Sequence, residues 1–94
     1  LKKVQYMEQF IGETFEGVIS GITTWGMYVE LPNTVEGMIR VADIEGDYYF
    51  YDEEHYAMVG EHTHKTFKLG EKIKIEVVGT DPIMKTIDFM IAEE

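Results

Sequence analysis

Apolar and polar residues alternate along several stretches of the chain with a period of two, which is typical of strands that bury one face. The alternation is clearest where Ile73, Ile75 and Val77 are separated by charged residues. Other stretches are short and rich in β-branched residues, and they are bounded by glycine or proline. The predicted strands cover residues 14–23, 27–31, 36–40, 72–78 and 86–91.

These predicted strands favour a closed all-β fold. Gly17 and Gly21 interrupt the first strand, and glycine within a strand is typical of a sharp bend. The longest connection separates the third strand from the fourth. A sheet of five short strands would expose two edges, and closure into a barrel removes them. We therefore expect a five-stranded antiparallel Greek-key barrel.

The remaining segments predict little regular structure. Leu1, Val4 and Met7 recur at helical spacing until Gly12, so residues 1–11 are expected to be the end of a helix or a linker from a preceding domain. The domain itself is then expected to span 12–94. Residues 41–44 predict a single helical turn. The insertion at 47–67 mixes aromatic and acidic residues without a clean period, so we expect irregular short strands and turns there.

Composition excludes several classes of protein. The 94 residues include no cysteine, which excludes a disulfide scaffold, a thiol nucleophile and cysteine-ligated zinc, and favours a reducing, cytoplasmic location. No apolar run approaches the length that crosses a bilayer, and the first residues lack the features of a signal peptide. Because the first residue is leucine, we expect the chain to be a piece of a longer polypeptide.

The charge balance lowers the expected affinity for nucleic acid without excluding it. Eighteen acidic side chains oppose eight basic ones, for a net charge of −10. The acids are concentrated, because Arg40 is the only Lys or Arg between Glu30 and Glu61. A ligand senses mainly the charges within a Debye length of about 8 Å. One face of the domain can therefore be acidic while another accepts a polyanion.

Trp25 and Tyr28 are the most informative aromatic residues. Tyr28 falls on the outward phase of its predicted strand, and exposed rings are the platforms on which single-stranded nucleic acids stack. Strict alternation would put Trp25 on the opposite face, so a kink at Gly26 is needed to bring the two rings together. The alternative is that Trp25 belongs to the core.

Charged residues supply further candidates. Arg40, Lys74 and Lys85 are candidate phosphate contacts, although each alone could be a solvated surface charge. Asp81 precedes the last predicted hairpin, where it could accept a hydrogen bond from a base or cap the turn. His62 and His64 lack an obvious third metal ligand. No nucleophile elbow, phosphate loop or catalytic triad is present, so an active site within these residues is not expected.

Two blocks of the sequence resemble the S1 RNA-binding domain family. The first is GVISGITTWGMYVEL at 17–31 followed by EGMIR at 36–40, and the second is LGEKIKI at 69–75 followed by Asp81, Lys85 and Ile87. The likeness covers residues 12–92. The insertion segment DYYFYD at 47–52 and the closing Ile87-Asp88-Phe89 are similar, more narrowly, to the C-terminal S1 domain of ribonuclease R, of the ribonuclease II family.

The resemblance implies an oligonucleotide-binding (OB) barrel that holds single-stranded RNA for a separate catalytic domain. The parent would be a 3′-to-5′ exoribonuclease that uses magnesium, whereas this fragment would be a non-enzymatic, cofactor-free monomer. Its partners would be single-stranded RNA and the other domains of the parent, without a membrane. The family's binding face maps onto Trp25, Tyr28, Arg40, Asp81 and Lys85, with Arg40 standing where many members have histidine.

Two other functions remain open at this point. The acidic aromatic stretch from Asp47 to Tyr56 could make the domain a protein-docking module, whose binding would depend on residues 48–51 and not on Trp25. Alternatively, the domain could belong to a transcription or translation factor. It would then bind RNA in a similar way within a non-enzymatic parent.

Overall fold

Five strands close into a barrel in the computed structural model, which describes residues 2–92. The elements in chain order are α1 (Lys2–Glu8), β1 (Thr14–Ile22), β2 (Gly26–Glu30), β3 (Glu36–Arg40), a 3-10 turn (Val41–Asp43), β4 (Tyr49–Asp52), β5 (Ala57–Gly60), β6 (Thr66–Lys68), β7 (Lys72–Asp81) and β8 (Thr86–Ile91). Around the barrel the strands follow the order β1-β2-β3-β8-β7. The predicted five-stranded barrel is confirmed.

One pair of barrel strands is parallel. β3 and β8 run in the same direction with Met38 opposite Asp88, whereas β1–β2, β2–β3, β7–β8 and β1–β7 are antiparallel. An odd number of strands cannot alternate in direction all the way around a closed ring. The antiparallel arrangement expected from the sequence therefore holds for every pair except the one that closes the barrel.

The barrel interior is filled by the inward-facing set of the alternating residues. Ile39, Ile75, Val77 and Phe89 are fully buried, and Phe89 is the largest of the fully buried side chains. Its ring lies against Gly37 on the neighbouring strand, so closely that a Cβ atom at Gly37 would be 2.5 Å from the ring carbons. Glycine at position 37 is therefore what allows the aromatic ring to fill the closure.

The helix α1 packs on the barrel. Val4 and Met7 are buried in the same hydrophobic core as the strands, and the helix contacts β7 and β8. The assignment of residues 1–11 to a preceding domain stays a prediction, and Leu1 lies outside the described residues. Within residues 2–92, no helix is long and apolar enough to cross a membrane.

The insertion is a regular three-stranded antiparallel sheet of β4, β5 and β6 rather than the irregular segment that was expected. Tyr49, Tyr51 and Phe67 pack toward the core, with Tyr49 and Phe67 in aromatic contact at 5.7 Å. Phe50 lies on the opposite, exposed side. Because both faces of β4 carry aromatic rings, the alternation that identifies a strand is hidden in the sequence.

Asp47 anchors the β5–β6 turn to the start of β4. Its carboxylate accepts hydrogen bonds from the backbone amides of Tyr48, His62 and Thr63 and from the Thr63 hydroxyl. Gly60 leaves room for this carboxylate, since a Cβ atom there would lie 2.6 Å from Oδ2. The hydrogen bonds, that of the Thr63 amide above all, lower the pKa of Asp47 to about 2, against an opposing effect of partial desolvation.

Substituting Gly37 with alanine should destabilise the barrel. The added methyl group has no space beside the Phe89 ring, and overpacking of this kind costs about 1–3 kcal/mol of unfolding free energy. Gly79→Ala is the matched control, because a Cβ atom at Gly79 would make an ordinary contact at 3.9 Å. Urea denaturation of both variants measures the difference, and equal stabilities would contradict the closure argument.

The turn anchored by Asp47 should loosen in acid. A carboxyl group whose pKa is lower in the folded state stabilises the fold above its unfolded value of 3.8, and this contribution is lost as the pH falls toward about 2. Exchange rates of the His62 and Thr63 amide protons, each divided by the intrinsic rate at the same pH, should rise over that range. Asp47→Asn should raise them already at neutral pH, and unchanged rates in the variant would show that the carboxylate does not hold the turn.

Candidate nucleic-acid interface

A single row of residues crosses the outer surface of the barrel from β1 to β7. Gly21 pairs with Tyr28, Tyr28 with Met38, Met38 with Asp88, and Asp88 with Gly79. Three side chains thus stand next to one another on neighbouring strands, with a glycine at each end of the row. The Tyr28 ring leans over Gly21, where a Cβ atom would be 3.3 Å from the ring. We call Tyr28, Met38 and Asp88 the central row.

The central row forms the floor of an open groove. The β7–β8 hairpin forms one wall through Asp81, Met84 and Lys85, and Arg40 lies at the end of β3. The parallel register of β3 and β8 puts Arg40 two residues beyond Met38 in the strand direction, and Lys85 three residues before Asp88. The two cationic side chains therefore lie on opposite sides of the central row.

Trp25 lies in the β1–β2 loop and is 74% exposed, which rules out the alternative that it belongs to the core. Its carbonyl oxygen accepts a hydrogen bond of 2.8 Å from the Val41 amide, so its backbone is held at the Arg40 end of the groove. Gly26 permits this close approach, because a Cβ atom there would be 2.2 Å from the Ile39 carbonyl oxygen. Since Trp25 precedes β2, strand alternation does not force it to the face opposite Tyr28.

Tyr28 is 38% exposed and faces the groove from β2. The structure thus leaves both predicted aromatic rings accessible to solvent, one in the groove and one in the loop at its Arg40 end. Whether these rings stack on bases stays a prediction.

Arg40 is oriented by its neighbour Asp43. The Nε atom lies 3.3 Å from Asp43 Oδ2, and both side chains are solvent-exposed. An exposed ion pair of this kind contributes at most about 1 kcal/mol to stability. Its effect here is positional, because binding through Nε leaves the two terminal nitrogens of the guanidinium group available to a ligand.

Asp81 caps the β7–β8 turn, which is one of the two roles predicted for it. Its Oδ1 atom accepts hydrogen bonds from the amides of Ile83 and Met84, at 3.0 and 3.1 Å. Asp81 also lines the groove, together with Lys85 from the same turn. The capping carboxylate therefore helps to hold this wall of the groove in shape.

Lys74 lies outside the groove. It sits on β7 opposite Glu16 of β1, five residues before Gly79, which is roughly 16 Å along an extended strand. The sequence signal for Lys74 was the same as that for Lys85, an exposed lysine close to a predicted strand or loop. The family resemblance included only Lys85 in the binding face, and the barrel topology gives the physical reason for the difference.

Several residues of this surface were missed by reasoning from single residues. Met38, Met84 and Asp88 line the groove, and Ile83 projects from the hairpin tip. Ile83 is 89% exposed and Met84 is 70% exposed. An apolar pair at a tight turn is unusual and could have drawn attention. Nothing in the sequence distinguished Met38 or Asp88 from other strand residues.

The groove carries a mixed charge rather than a basic one. Glu36, Asp81 and Asp88 line it alongside Arg40 and Lys85. The Glu36 carboxylate accepts a hydrogen bond of 2.6 Å from the Ser20 hydroxyl. A surface of this kind offers one ring, two thioethers and hydrogen-bond acceptors to a base, with only two cationic groups for phosphates. Within residues 2–92, no three His, Asp or Glu side chains converge in a way that could hold a metal ion.

Comparison with known proteins gives a consistent result. The model of the S1 RNA binding domain matches residues 8–91. Ribonuclease R 1 of Lactococcus lactis is 44% identical over 89 residues, which cover 95% of this chain and 11% of that protein. Ribonuclease R of Thermotoga maritima is 39% identical over 95 aligned residues, which cover the whole of this chain and 13% of that protein.

Solved structures match in the same way. The apo form of Mycoplasma genitalium RNase R superposes with a TM-score of 0.91 at 25% identity, over 97% of this chain and 15% of that one. The same enzyme in complex with ribose methylated single-stranded RNA gives a TM-score of 0.90 at 27% identity, over 95% of this chain and 14% of that one.

The chain therefore spans less than a sixth of each of these relatives. The agreement of barrel topology, insertion and sequence shows that this chain belongs to the S1 RNA-binding domain family and closely matches the S1 domain of ribonuclease R.

Proposed function

We propose that this domain binds single-stranded RNA along the groove, as part of a ribonuclease R-like 3′-to-5′ exoribonuclease. The observation that supports this most directly is the central row, in which an exposed tyrosine and a methionine lie side by side between two cationic residues. A relative of nearly the same fold has been solved in complex with single-stranded RNA.

The proposed binding mechanism combines stacking with a weak electrostatic contribution. Tyr28 offers its ring to one base, with the Met38 thioether beside it, and Trp25 offers a second ring. Arg40 and Lys85 contact phosphates on either side. Two stacked bases contribute about 2–6 kcal/mol in total, which corresponds to a Kd of tens of micromolar or weaker.

Weak binding of this kind suits a domain that is covalently connected to other RNA-binding domains of the same protein. Tethering raises the effective concentration of RNA at the groove without any new contact. In this proposal the domain is a cytoplasmic monomer that holds the substrate. Hydrolysis and the magnesium that it requires belong to a separate catalytic domain of the parent.

A second candidate function is docking of a basic protein segment on the insertion sheet. Tyr48 is 76% exposed, and Phe50 and Tyr56 on the same β4–β5 hairpin are also exposed. No lysine or arginine occurs from Val41 to His64, so β4 and β5 carry acidic groups without a cation, whereas Lys65 and Lys68 lie at β6. Docking here would depend on these rings and would be independent of Trp25. The strong similarity to ribonuclease R favours that parent over a transcription or translation factor.

Removing both groove-side rings should abolish RNA binding. The double variant Trp25→Ala/Tyr28→Ala loses both stacking platforms, each expected to contribute about 1–3 kcal/mol. Because both rings are exposed, the barrel should keep its stability. Fluorescence anisotropy of labelled oligo(A) measures the affinity, and circular dichroism checks the fold.

The matched control for this experiment is Tyr48→Ala/Tyr56→Ala, which removes two exposed rings from the insertion sheet instead. Its RNA affinity should equal that of the unmodified domain. Loss of RNA binding in the control with retention in the Trp25/Tyr28 variant would place the RNA site on the insertion and refute the groove.

The salt dependence of binding should reflect two phosphate contacts. Quenching of Trp25 fluorescence by oligo(A), measured at about 50 and about 200 mM salt, should give a log–log slope near −1.4 for two single-strand contacts. Lys85→Ala should reduce the slope to about −0.7, whereas Lys74→Ala should leave it unchanged. An equal reduction by Lys74→Ala would mean that the RNA follows β7 and not the groove.

A further inference from the structure

Asp88 is the carboxylate of the groove that the fold leaves without a partner. Glu36 accepts the Ser20 hydroxyl, and Asp81 accepts two backbone amides of its own turn. Asp88 is half-buried, and its carboxylate makes no hydrogen bond or ion pair with any residue from 2 to 92. A carboxylate that lines the groove and has no partner within the fold has all of its acceptor positions available to a ligand that donates hydrogen bonds.

The surroundings of Asp88 leave it accessible from the groove. On one side its neighbour is Gly79, which has no side chain to cover the carboxylate. A Cβ atom at position 79 would lie 3.9 Å from Asp88 Oδ2. On the other side it neighbours Met38, and Tyr28 follows one strand further along. Two strand spacings, roughly 9 to 10 Å, thus separate Tyr28 from Asp88. A purine stacked near Tyr28 and resting on Met38 points its edge toward the carboxylate.

The chemistry of a carboxylate restricts what this edge can be. An ionised carboxylate only accepts hydrogen bonds and repels phosphate, so its partner in RNA is a base edge or a ribose 2′-hydroxyl, and only a base edge can present two adjacent donors. Guanine presents two adjacent donors, N1–H and the 2-amino group, which match the two carboxylate oxygens. Adenine and cytosine each present one amino group beside an acceptor nitrogen. Uracil presents its N3–H between two carbonyl oxygens, which the carboxylate repels.

We propose that Asp88 is a specificity-determining residue that selects guanine at the base position next to Tyr28 by accepting hydrogen bonds from its Watson–Crick edge. This inference rests on the proposed binding of single-stranded RNA along the groove. Stacking alone binds RNA with little regard to sequence, and Asp88 adds a preference for one base.

The test compares RNA octamers in which two nucleotides alternate. In half of the possible binding registers, the second nucleotide of the repeat is the one within reach of Asp88. The probes are r(AG)4, r(AI)4, in which inosine lacks the 2-amino group, and r(AC)4. The complete domain should bind r(AG)4 about tenfold more tightly than r(AI)4, since a bidentate base contact discriminates by about 1–3 kcal/mol. In Asp88→Asn the two affinities should become equal within error.

The ratio of affinities is the readout because removing any acidic charge strengthens RNA binding in general. Glu30→Gln is the control for charge, since Glu30 is an exposed residue of β2 that does not line the groove. It should shift both affinities together and keep the ratio. Asp88→Ser provides a second variant without an amide group and should abolish the preference as Asp88→Asn does.

The outcomes separate this inference from the function on which it rests. Equal binding of r(AG)4 and r(AI)4 by the unmodified domain, with Trp25 still quenched, would overturn the role of Asp88 and leave RNA binding intact. A uniform gain in affinity in Asp88→Asn without a change in ratio would also overturn it. Failure of every octamer to bind would overturn the proposed function together with this inference.

Discussion

The barrel depends on the contact between Phe89 and Gly37, where the parallel strands β3 and β8 close the ring. These two strands meet through the dipeptides Gly37-Met38 and Asp88-Phe89. The inward members, Gly37 and Phe89, fill the core, and a Cβ atom at position 37 would lie 2.5 Å from the ring. The outward members, Met38 and Asp88, are directly opposite each other on the surface. The same pairing that seals the core therefore builds the middle of the groove.

The distribution of charge leaves the groove much less acidic than the domain as a whole. The chain carries a net charge of −10, but the stretch without any lysine or arginine runs from Val41 to His64 and includes the insertion strands β4 and β5. The groove lies on the barrel, where Arg40 and Lys85 stand beside three carboxylates. Exposed charges more than about 8 Å apart are largely screened at physiological ionic strength. The local balance around the groove thus matters more to a bound strand than the total.

The arrangement also divides the carboxylates of the groove by what they do. Asp81 holds the hairpin and Glu36 is held by Ser20, so both belong to the structure of the site. Asp88 is left available on the central row. In the proposed function the rings supply sequence-tolerant affinity, and a single carboxylate adds a preference for one base.

The sequence by itself determined the five barrel strands, the outward position of Tyr28 and the family, because alternation and glycine spacing are local properties of the chain. It could not reveal the insertion sheet, since aromatic rings on both faces of β4 remove the alternation. Alternation and charge could not separate Lys74 from Lys85, which only the family resemblance did, nor single out Asp88, because their surroundings come from strands distant along the chain. Only the closure of the barrel, which packs Phe89 over Gly37 and sets the register of β3 against β8, decided which residues share the groove.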